Sequence, residues 1–284
     1  MTSDWIALDW TTTRRRLWVM RGRDVLDEAV DDGPRPADAA SILALVAGRH
    51  AGQGVPVIAC GPLGPVRDTV PCIPLAGSLW QIDLGDPRVA LHAVPGLRQT
   101  QPADMMQGDE TRVAGFLALN PGWDGVICLV GETSRWVHVS AGEVVSFRSF
   151  LFGALISAVA AGTQLGRWLS TSDLDGAAFA EAVADGLSRP EQVLARLWSA
   201  HADATLSALP PEVARARILG GLIGAELAAT RPFWLGQHLA VLGEGEMPRL
   251  HVDALAAQGV PATQGDGPRM TREGLIAAWK TLTP

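Results

Sequence analysis

Short apolar runs separated by turn-forming residues fill the first 60 positions of the chain. The runs at 5–8, 17–20 and 25–30 predict three strands, because each is brief and bounded by polar or glycine-containing turns. Apolar residues then recur at helical spacing over 37–50, which predicts a helix. A further apolar run at 55–59, closed by glycine and proline, predicts a buried strand.

The opening pattern returns after residue 122. Apolar runs at 125–130, 134–139 and 143–147 again predict three successive strands. The first hairpin of each set has adjacent hydroxyl residues and an arginine near its turn, followed by Trp18-Val19 in one and Trp136-Val137 in the other. An internal duplication of one β-hairpin explains this similarity, and two unrelated hairpins of similar composition are the alternative.

Helical patterns dominate the second half. Ser188 and Glu191 have the spacing of a capping box, with Pro190 between them, which predicts that a helix begins there. A predicted helix over 214–229 contains three glycines within five residues, which indicates the close approach of another backbone or a ligand. The other predicted elements are strands at 79–84, 89–94, 238–242 and 260–263 and helices at 110–119, 248–258 and 271–282.

The predicted elements form two α/β halves that each open with three strands. This order is typical of ribonuclease-H-like lobes, which sugar kinases, actin and Hsp70-type ATPases share. We therefore expect an α/β protein of two such lobes, the actin-like ATPase fold, with nucleotide in the cleft between them. The expected lobes are residues 1–122 and 123–284, and the last helix can pack back onto the first lobe.

The composition excludes several other classes of protein. The 284 residues are 48% hydrophobic and 19% charged, which is typical of a globular protein with a buried core. The net charge of −7 opposes a nucleic-acid surface, and no apolar stretch is long enough to span a bilayer. Asp4 and Asp9 interrupt the N-terminal apolar stretch, so no signal peptide is expected. The three cysteines lack the spacing of a metal or disulfide site, and apolar packing is expected for Cys60 and Cys128. These features predict a cytoplasmic protein with no membrane partner, and they leave a homodimer open.

Asp9 ends the first predicted strand and is followed by Thr11, Thr12 and Thr13 in a tight turn. A carboxylate in this place can hold Mg²⁺, and the turn N–H groups and hydroxyls can receive a γ-phosphate. The alternative is a structural turn in which the carboxylate caps nearby N–H groups. The similar turn at Thr133-Ser134 favours phosphate binding, since two facing hairpins can clamp a triphosphate from both sides.

Two further charged segments are candidates for chemistry. Asp109 and Glu110 lie at the start of the helix predicted at 110–119, where either carboxylate can act as the general base for a sugar hydroxyl. Acidic residues in a first helical turn also complement the helix dipole, which is the structural alternative. The run 14–16 is all arginine, and it either blunts a solvated edge strand or supplies an arginine to a phosphate or a substrate carboxylate.

Together these segments resemble the 2-dehydro-3-deoxygalactonokinase family over almost the full length of the chain. Ile6-Ala7-Leu8-Asp9-Trp10, followed by hydroxyl residues, is similar to the first phosphate motif of that family. The segment Gly131-Glu132-Thr133-Ser134-Arg135-Trp136-Val137 resembles the second phosphate motif of the family. The other matching segments are Ile58-Ala59-Cys60-Gly61, Pro95-Gly96-Leu97, Met106-Gln107-Gly108-Asp109-Glu110-Thr111 and Gly221-Leu222-Ile223-Gly224-Ala225-Glu226.

The resemblance implies phosphorylation by ATP of the 6-hydroxyl of 2-dehydro-3-deoxy-D-galactonate, a small-molecule sugar acid, in galactonate breakdown. It implies that Asp9 binds Mg²⁺ and phosphate, and that Asp109 is the base with Glu110 as its competitor. The other residues implied to bind the nucleotide are Thr12, Thr13, Arg14, Gly131, Thr133, Ser134, Arg135, Gly221 and Gly243.

The chain departs from the family pattern at several positions. Thr11 replaces a glycine of the first phosphate motif, Glu132 adds negative charge to the second, and Ala154 replaces a glutamate. The loop after residue 60 also differs. Two alternatives therefore stay open: a non-catalytic paralogue that binds nucleotide or a sugar acid, and a kinase for another small sugar or sugar acid.

Overall fold

The computed structural model describes residues 4–11, 14–32, 39–47 and 54–282. These residues divide into two compact units. The first unit is drawn from Met1–Asp124, Val139–Ser146 and Asp266–Pro284, and the second from Gly125–His138 and Phe147–Gly265. The sequence-based lobe boundary at 122/123 stays a prediction.

The elements up to residue 119 all belong to the first unit. In chain order they are β1 (Asp4–Trp10), β2 (Arg14–Arg21), β3 (Asp24–Asp32), α1 (Ala39–Ala47), β4 (Val55–Cys60), β5 (Val66–Thr69), β6 (Trp80–Ile82), β7 (Val89–Ala93), β8 (Gly96–Thr100), β9 (Ala103–Met106) and α2 (Asp109–Leu119). The elements that follow are β10 (Gly125–Val130), β11 (Ser134–Ser140), β12 (Glu143–Phe150), α3 (Phe152–Gly162), α4 (Gly166–Leu169), α5 (Gly176–Ser188), a 3-10 turn (Pro190–Gln192), α6 (Val193–Leu206), α7 (Pro211–Ala229), α8 (Arg231–Trp234), β13 (Leu239–Gly243), α9 (Glu246–Ala256), β14 (Ala262–Asp266) and α10 (Gly267–Lys280).

A six-stranded sheet in the order β3-β2-β1-β4-β7-β6 carries the core of the first unit. β2 is antiparallel to both β1 and β3, whereas β4 is parallel to β1 with Asp9 opposite Cys60. Side chains of a strand alternate between the two faces of its sheet. Ile6 and Leu8 accordingly pack with α1, while Trp5 and Ala7 pack with α10. Both faces of β1 are therefore covered, which explains its nearly continuous apolar sequence.

Helix α10 packs against α2, β1 and β4 within the first unit. The crossing of α2 and α10 is close: a Cβ added to Gly115 would lie 1.8 Å from the Met270 carbonyl oxygen, and one added to Gly274 would lie 1.9 Å from the Thr111 carbonyl oxygen. Because only glycine fits at these two positions, the contact between the helices is set by the backbone itself. A small sheet in the order β5-β8-β9 leads directly into α2.

A five-stranded sheet in the order β12-β11-β10-β13-β14 carries the core of the second unit. β10 and β13 are parallel, with Val130 opposite Gly243. β10 opens the hairpin β10-β11 and has β13 as its parallel neighbour on the other side, just as β1 has β4 in the first unit. Trp18 and Trp136 lie on the second strands of the two hairpins, and both are buried. This shared arrangement supports the internal duplication.

The three glycines of α7 were expected to allow a close approach, and the structure confirms that another backbone makes it. A Cβ added to Gly220 would lie 2.7 Å from the Phe179 carbonyl oxygen, and one added to Gly224 would lie 2.3 Å from the Val183 carbonyl oxygen. Both of these oxygens belong to α5. The two helices therefore touch along their backbones.

One local prediction holds only in part, and one alternative is wrong. A helical turn does begin at Pro190 and leads into α6, as predicted, but no capping box starts it. Ser188 does not cap a new helix: it is the last residue of α5, and its hydroxyl donates to the Asp185 carbonyl at 3.1 Å. The capping box fails because the hydroxyl bonds back into the turn that precedes it. The arginine run also does not lie on an edge strand, since β2 is flanked by β1 and β3.

The arginines of β2 are instead paired with acidic residues of the edge strand β3. Arg14 Nε lies 2.9 Å from Asp32 Oδ1, and Arg16 lies 2.9 Å from Glu28. Arg15 forms an ion pair with Asp31. The acidic side chains of β3 therefore largely neutralise the positive charge of the three arginines. None of the helices in the described part of the chain is both long and apolar enough to cross a membrane.

Candidate active site

Asp9 lies half-buried at the carboxyl end of β1. Its Oδ1 accepts a hydrogen bond from the Cys60 thiol on the neighbouring β4, with 3.4 Å between oxygen and sulfur. Burial, and then the nearby charge of Asp9, raise the pKa of Cys60 well above its usual value. The thiol therefore stays neutral and keeps its proton. Cys60, expected from the sequence to be a simple core residue, orients the candidate metal-binding carboxylate.

The turn after β1 is closed by Thr11. Its hydroxyl accepts from the N–H of Arg14 at 3.0 Å and donates to the carbonyl of the same residue at 3.0 Å. Thr12 and Thr13, both predicted to contact phosphate, lie outside the described residues. Arg14, also predicted to bind the nucleotide, is exposed and paired with Asp32. A phosphate at Arg14 would compete with that ion pair.

Two glycines bring the start of α2 against the end of β1. Gly61 has a φ of 109°, and a Cβ there would lie 1.9 Å from the carbonyl oxygen of Trp10. Gly108 has a φ of 108°, and a Cβ there would lie 3.2 Å from the Cα of Gly61. Only glycine combines this backbone conformation with so close an approach. We call the resulting cluster the β1–α2 junction; it consists of Asp9, Cys60, Gly61, Gly108, Asp109 and Glu110.

The two candidate bases of the β1–α2 junction have different environments. Glu110 is completely buried, and its two oxygens accept from the N–H of Gly108 at 2.7 and 2.8 Å. Burial raises the pKa of Glu110 to about 8, although its hydrogen bonds act in the opposite direction. The Asp109 side chain is 19% exposed, and its Oδ1 lies 3.2 Å from Arg112 Nη1. Asp109 is thus the carboxylate that a substrate can reach.

The second turn with hydroxyl residues, at 131–133, joins β10 to β11. Gly131 is exposed and Thr133 is half-buried. The first turn of α3 rests on this turn, because the N–H of Ala154 donates to the Glu132 carbonyl at 2.8 Å. A Cβ added to Gly153 would lie 2.3 Å from the carbonyl oxygen of Gly131. A glycine is required at 153 for this contact.

Ser134 and Arg135 follow the second turn and are buried. The Ser134 hydroxyl donates to Glu226 at 2.7 Å, and Arg135 Nε donates to Ser149 Oγ at 2.8 Å. Both side chains thus have partners inside the second unit. Their contacts with phosphate stay predictions, and a contact from Ser134 would come most directly from its main chain.

Gly221 and Gly243 were both predicted to bind the nucleotide. A Cβ added to Gly186 of α5 would lie 2.5 Å from the Gly221 carbonyl oxygen, which places Gly221 at the contact of α5 with α7. A Cβ added to Gly243 would lie 2.6 Å from both Pro248 Cγ and the Val130 carbonyl oxygen. Gly243 therefore allows β13, β10 and α9 to meet directly beside the turn at 131–133.

The structure thus brings the predicted residues into two groups. Asp9, Asp109 and Glu110 come together in the β1–α2 junction, and Gly243 joins the segment from Gly131 to Arg135 in the second unit. Within the described residues, no three or more His, Cys, Asp and Glu side chains are arranged to hold a metal ion. The Asp9 carboxylate nevertheless fits Mg²⁺, which proteins often hold by one or two carboxylates together with water and substrate phosphates.

Sequence reasoning missed three residues of these groups. Cys60 and Arg112 contact the candidate carboxylates, and Glu226 contacts Ser134 and Trp136. The spacing of Asp109 and Arg112 on one helix could have indicated their ion pair. Glu226 stands out as an acidic residue in the apolar second half of α7, but its partners are about ninety residues away in the sequence.

The first strand of each hairpin has a parallel strand on its other side. Asp9 lies at the end of β1, and a turn that starts with Gly131 follows β10. This arrangement defines an actin-type phosphotransferase fold. This is the class to which sugar kinases belong. A family model described as 2-keto-3-deoxy-galactonokinase matches residues 9–278, and the chain belongs to that family.

Individual proteins agree with this assignment. The 2-dehydro-3-deoxygalactonokinase of Escherichia coli (strain K12) is 27% identical over 286 residues, 94% of each chain. A protein of Rhizobium meliloti (strain 1021) named as a probable 2-dehydro-3-deoxygalactonokinase is 27% identical over 299 residues, 98% of this chain and 97% of its own. A crystal structure from Sinorhizobium meliloti assigned to the same activity is 27% identical and covers 99% of this chain and 97% of its own, with a TM-score of 0.88. The predicted family, fold class and sugar-acid kinase class are confirmed, and a kinase of this family implies ATP as co-substrate.

Proposed function

We propose that this chain transfers the γ-phosphoryl group of ATP to the 6-hydroxyl of 2-dehydro-3-deoxy-D-galactonate, in galactonate breakdown. The observation that carries the proposal is the β1–α2 junction. There a carboxylate suited to Mg²⁺, Asp9, and a reachable candidate base, Asp109, are held together by the contact between Gly61 and Gly108. Family membership supports the substrate class. A cytoplasmic location and a homodimer stay predictions from the sequence.

Asp109 is the general base in this proposal. It accepts the proton of the 6-hydroxyl while the bond from O6 to the γ-phosphorus forms and the bond from that phosphorus to the β–γ bridging oxygen breaks, which releases ADP. Arg112 orients the carboxylate through their ion pair. Glu110 has a different role: its oxygens hold the N–H of Gly108 and so fix the start of α2.

Asp9 holds Mg²⁺, directly or through water. When bound with ATP, the ion supplies positive charge that offsets the phosphate charge during transfer. The neutral Cys60 thiol keeps Oδ1 of Asp9 in place without adding charge of its own. The turn residues implied by the family resemblance to contact phosphate keep that role as predictions.

A cavity of about 450 Å³ in the second unit is the proposed nucleoside pocket. Ile156 and Ala160 of α3, Leu219 of α7 and Met247 of α9 contribute to its lining. Helix α3 rests on the turn at 131–133, and α9 follows the glycine loop that begins at Gly243. The cavity is therefore lined in part by a helix that contacts one segment assigned to the nucleotide and by a helix that follows another.

The departures from the family pattern are compatible with a kinase. The Thr11 hydroxyl is folded back onto the main chain of Arg14, so this side chain completes the turn. The N–H of Ala154 donates to the carbonyl of Glu132, and this main-chain contact of α3 with the second turn does not depend on either departing side chain. The matches over nearly the full chain do not favour the non-catalytic or substrate-shifted alternatives.

The test is a coupled assay of ADP release with Mg-ATP and a panel of 2-keto-3-deoxy sugar acids. We expect turnover with 2-dehydro-3-deoxy-D-galactonate that exceeds turnover with the other acids, and a product phosphorylated at O6 by NMR. Calorimetry with Mg-ATP is the companion measurement. Clear nucleotide binding without turnover of any acid would overturn the proposal in favour of the non-catalytic alternative.

A further inference from the structure

Glu226 is a buried acidic residue that joins three elements of the second unit. It lies on α7 and is only 5% exposed. Its carboxylate accepts from Ser134 Oγ at 2.7 Å and from Trp136 Nε1 at 2.8 Å, both on β11. His251 Nε2 of α9 lies 3.8 Å from Oε1 of the same carboxylate, and His251 Nδ1–H donates to the Met247 carbonyl at 2.8 Å.

A buried carboxylate needs hydrogen-bond donors that offset its lost hydration. Removing a carboxylate from water costs free energy that only close hydrogen-bond donors recover. The indole N–H of Trp136 can donate but not accept, so it requires an acceptor at this point in the core. Ser134 is the first residue of β11, directly after the turn at 131–133. The hydrogen bonds of Glu226 therefore reach the end of that turn.

The same face of α7 also contacts the start of α9. Arg215 stands eleven residues before Glu226, which is close to three helical turns. Its Nη2 lies 2.5 Å from Oε2 of Glu246, the first residue of α9. α9 begins just after the glycine loop at 243–245. Helix α7 therefore contacts the end of the second turn through Glu226 and the start of α9 through Arg215.

We propose that Glu226 is a positioning residue for nucleotide binding: it holds the turn at 131–133 and helix α9 in one arrangement before ATP arrives. The kinetic consequences rest on the proposed function, whereas the anchoring itself does not. Glu226 touches neither ATP nor the sugar acid in this scheme and acts through its hydrogen bonds to Ser134 and Trp136, with the His251 ring packed beside its carboxylate at 3.8 Å.

The test compares Glu226→Ala with the isosteric Glu226→Gln. The alanine leaves the Trp136 indole N–H without its acceptor. The glutamine can still accept from Trp136 and can donate to the Ser134 hydroxyl, which is able to accept. We expect Glu226→Ala to raise the KM for ATP about tenfold, the scale of a lost hydrogen bond to a charged group, with the KM for the sugar acid unchanged. Glu226→Gln should recover most of the difference.

Hydrogen–deuterium exchange of the nucleotide-free protein supplies a readout that does not need activity. Exchange at residues 131–137 and 246–252 should rise in Glu226→Ala and return towards wild type in Glu226→Gln. The matched control is Leu222→Ala, which removes buried apolar packing from the same helix and should lower stability without this local pattern. If Glu226→Ala does not fold, Ser134→Ala and Trp136→Phe remove the two contacts from the other side.

Two results would overturn the inference. One is equal changes in the KM values for ATP and the sugar acid in Glu226→Ala, as in Leu222→Ala. The other is wild-type exchange at 131–137 in a folded Glu226→Ala protein. If wild-type protein transfers no phosphate, the proposed function fails, but nucleotide affinity by calorimetry and the exchange pattern still decide whether Glu226 anchors the turn.

Discussion

Asp109 and Glu110 are neighbours in the sequence, yet one carboxylate is partly exposed beside Arg112 and the other is sealed in the interior. We therefore predict that Asp109→Asn lowers kcat by about 100- to 10,000-fold, the usual contribution of a general base. Glu110→Gln should keep kcat within about tenfold of wild type, because an amide oxygen can still accept from Gly108. Steady-state kinetics with Mg-ATP and the sugar acid measure both values.

Calorimetry with each ligand is the control for these two variants, since both should still bind Mg-ATP. The reverse outcome, in which Glu110→Gln loses the rate and Asp109→Asn keeps it, would assign the base to Glu110.

The buried position of Glu110 also makes stability depend on pH. Its pKa is raised from 4.5 to about 8 in the folded protein, so between these values the folded state keeps a proton that the unfolded state releases. The stability that this group contributes is complete below about pH 4.5 and is lost as the pH rises through about 8. Relative to Glu110→Gln, wild type should lose about 1.4 kcal/mol of unfolding free energy per pH unit between those limits.

Denaturant unfolding of both proteins at several pH values measures that difference. The comparison with Glu110→Gln cancels the titration of all other groups. Parallel stability curves for the two proteins would show that Glu110 does not keep its proton in the folded state.

The sequence identified Asp9, Asp109 and Glu110 as candidates from their types and positions. It could not choose between Asp109 and Glu110, because burial, which distinguishes them, depends on what α2 packs against. Cys60 and Glu226 were out of reach for a related reason: their partners are 51 and about ninety residues away. Local patterns carry no information about which distant side chains meet.

Helix α3 and the turn at 131–133 meet through Gly153. An added methyl group there would lie 2.3 Å from the Gly131 carbonyl oxygen. We predict that Gly153→Ala displaces the turn, lowers the unfolding free energy by about 1–3 kcal/mol and raises the KM for ATP several-fold. Thermal unfolding and steady-state kinetics check the two effects.

The matched control is Gly162→Ala, at the other end of the same helix, where an added Cβ meets nothing within 4 Å. That change should leave stability unchanged or raise it by up to about 1 kcal/mol, because alanine favours helix. Equal behaviour of the two variants would mean that α3 does not support the turn through Gly153.

Most elements were predictable where hydrophobic spacing was regular. The strands β1, β4 and β10 are mostly apolar runs of strand length. The alanine- and leucine-rich sequence of α7 predicted a helix. The short strands β5, β8 and β9 were missed, since they lie in a segment rich in proline and glycine, where periodicity is too brief to show. A helical turn does begin at Pro190, but Ser188 does not cap it, because a hydroxyl can bond backwards as readily as forwards.

Ligand binding should stabilise the whole protein if the proposed function holds. Mg-ATP at a hundred times its dissociation constant should add about 2.7 kcal/mol to the unfolding free energy. In Asp9→Asn the part of this gain that depends on Mg²⁺ should disappear, while the melting temperature without ligand stays close to wild type. Thermal unfolding with ATP in the presence of Mg²⁺ or EDTA separates the two contributions. An equal magnesium-dependent gain in both proteins would remove Asp9 from the metal site.

The fold class as a whole followed from one repeated feature, the hairpin with Trp-Val on its second strand. Its two copies predicted the two related sheets, and the family match agrees with that fold. The sequence did not predict which segments belong to which compact unit. Residues 139–146 group with the first unit although the segments on both sides of them belong to the second unit, and no local pattern marks them.

The tight crossing of α2 and α10 has a consequence for biosynthesis. The segment carrying Asp109 is braced by residues 267–280, which the ribosome delivers long after α2 has emerged. Most of the second unit is continuous in the sequence before that point and can fold first. A nascent chain therefore carries α2 without its helical partner, with Gly115 uncovered, until α10 leaves the exit tunnel.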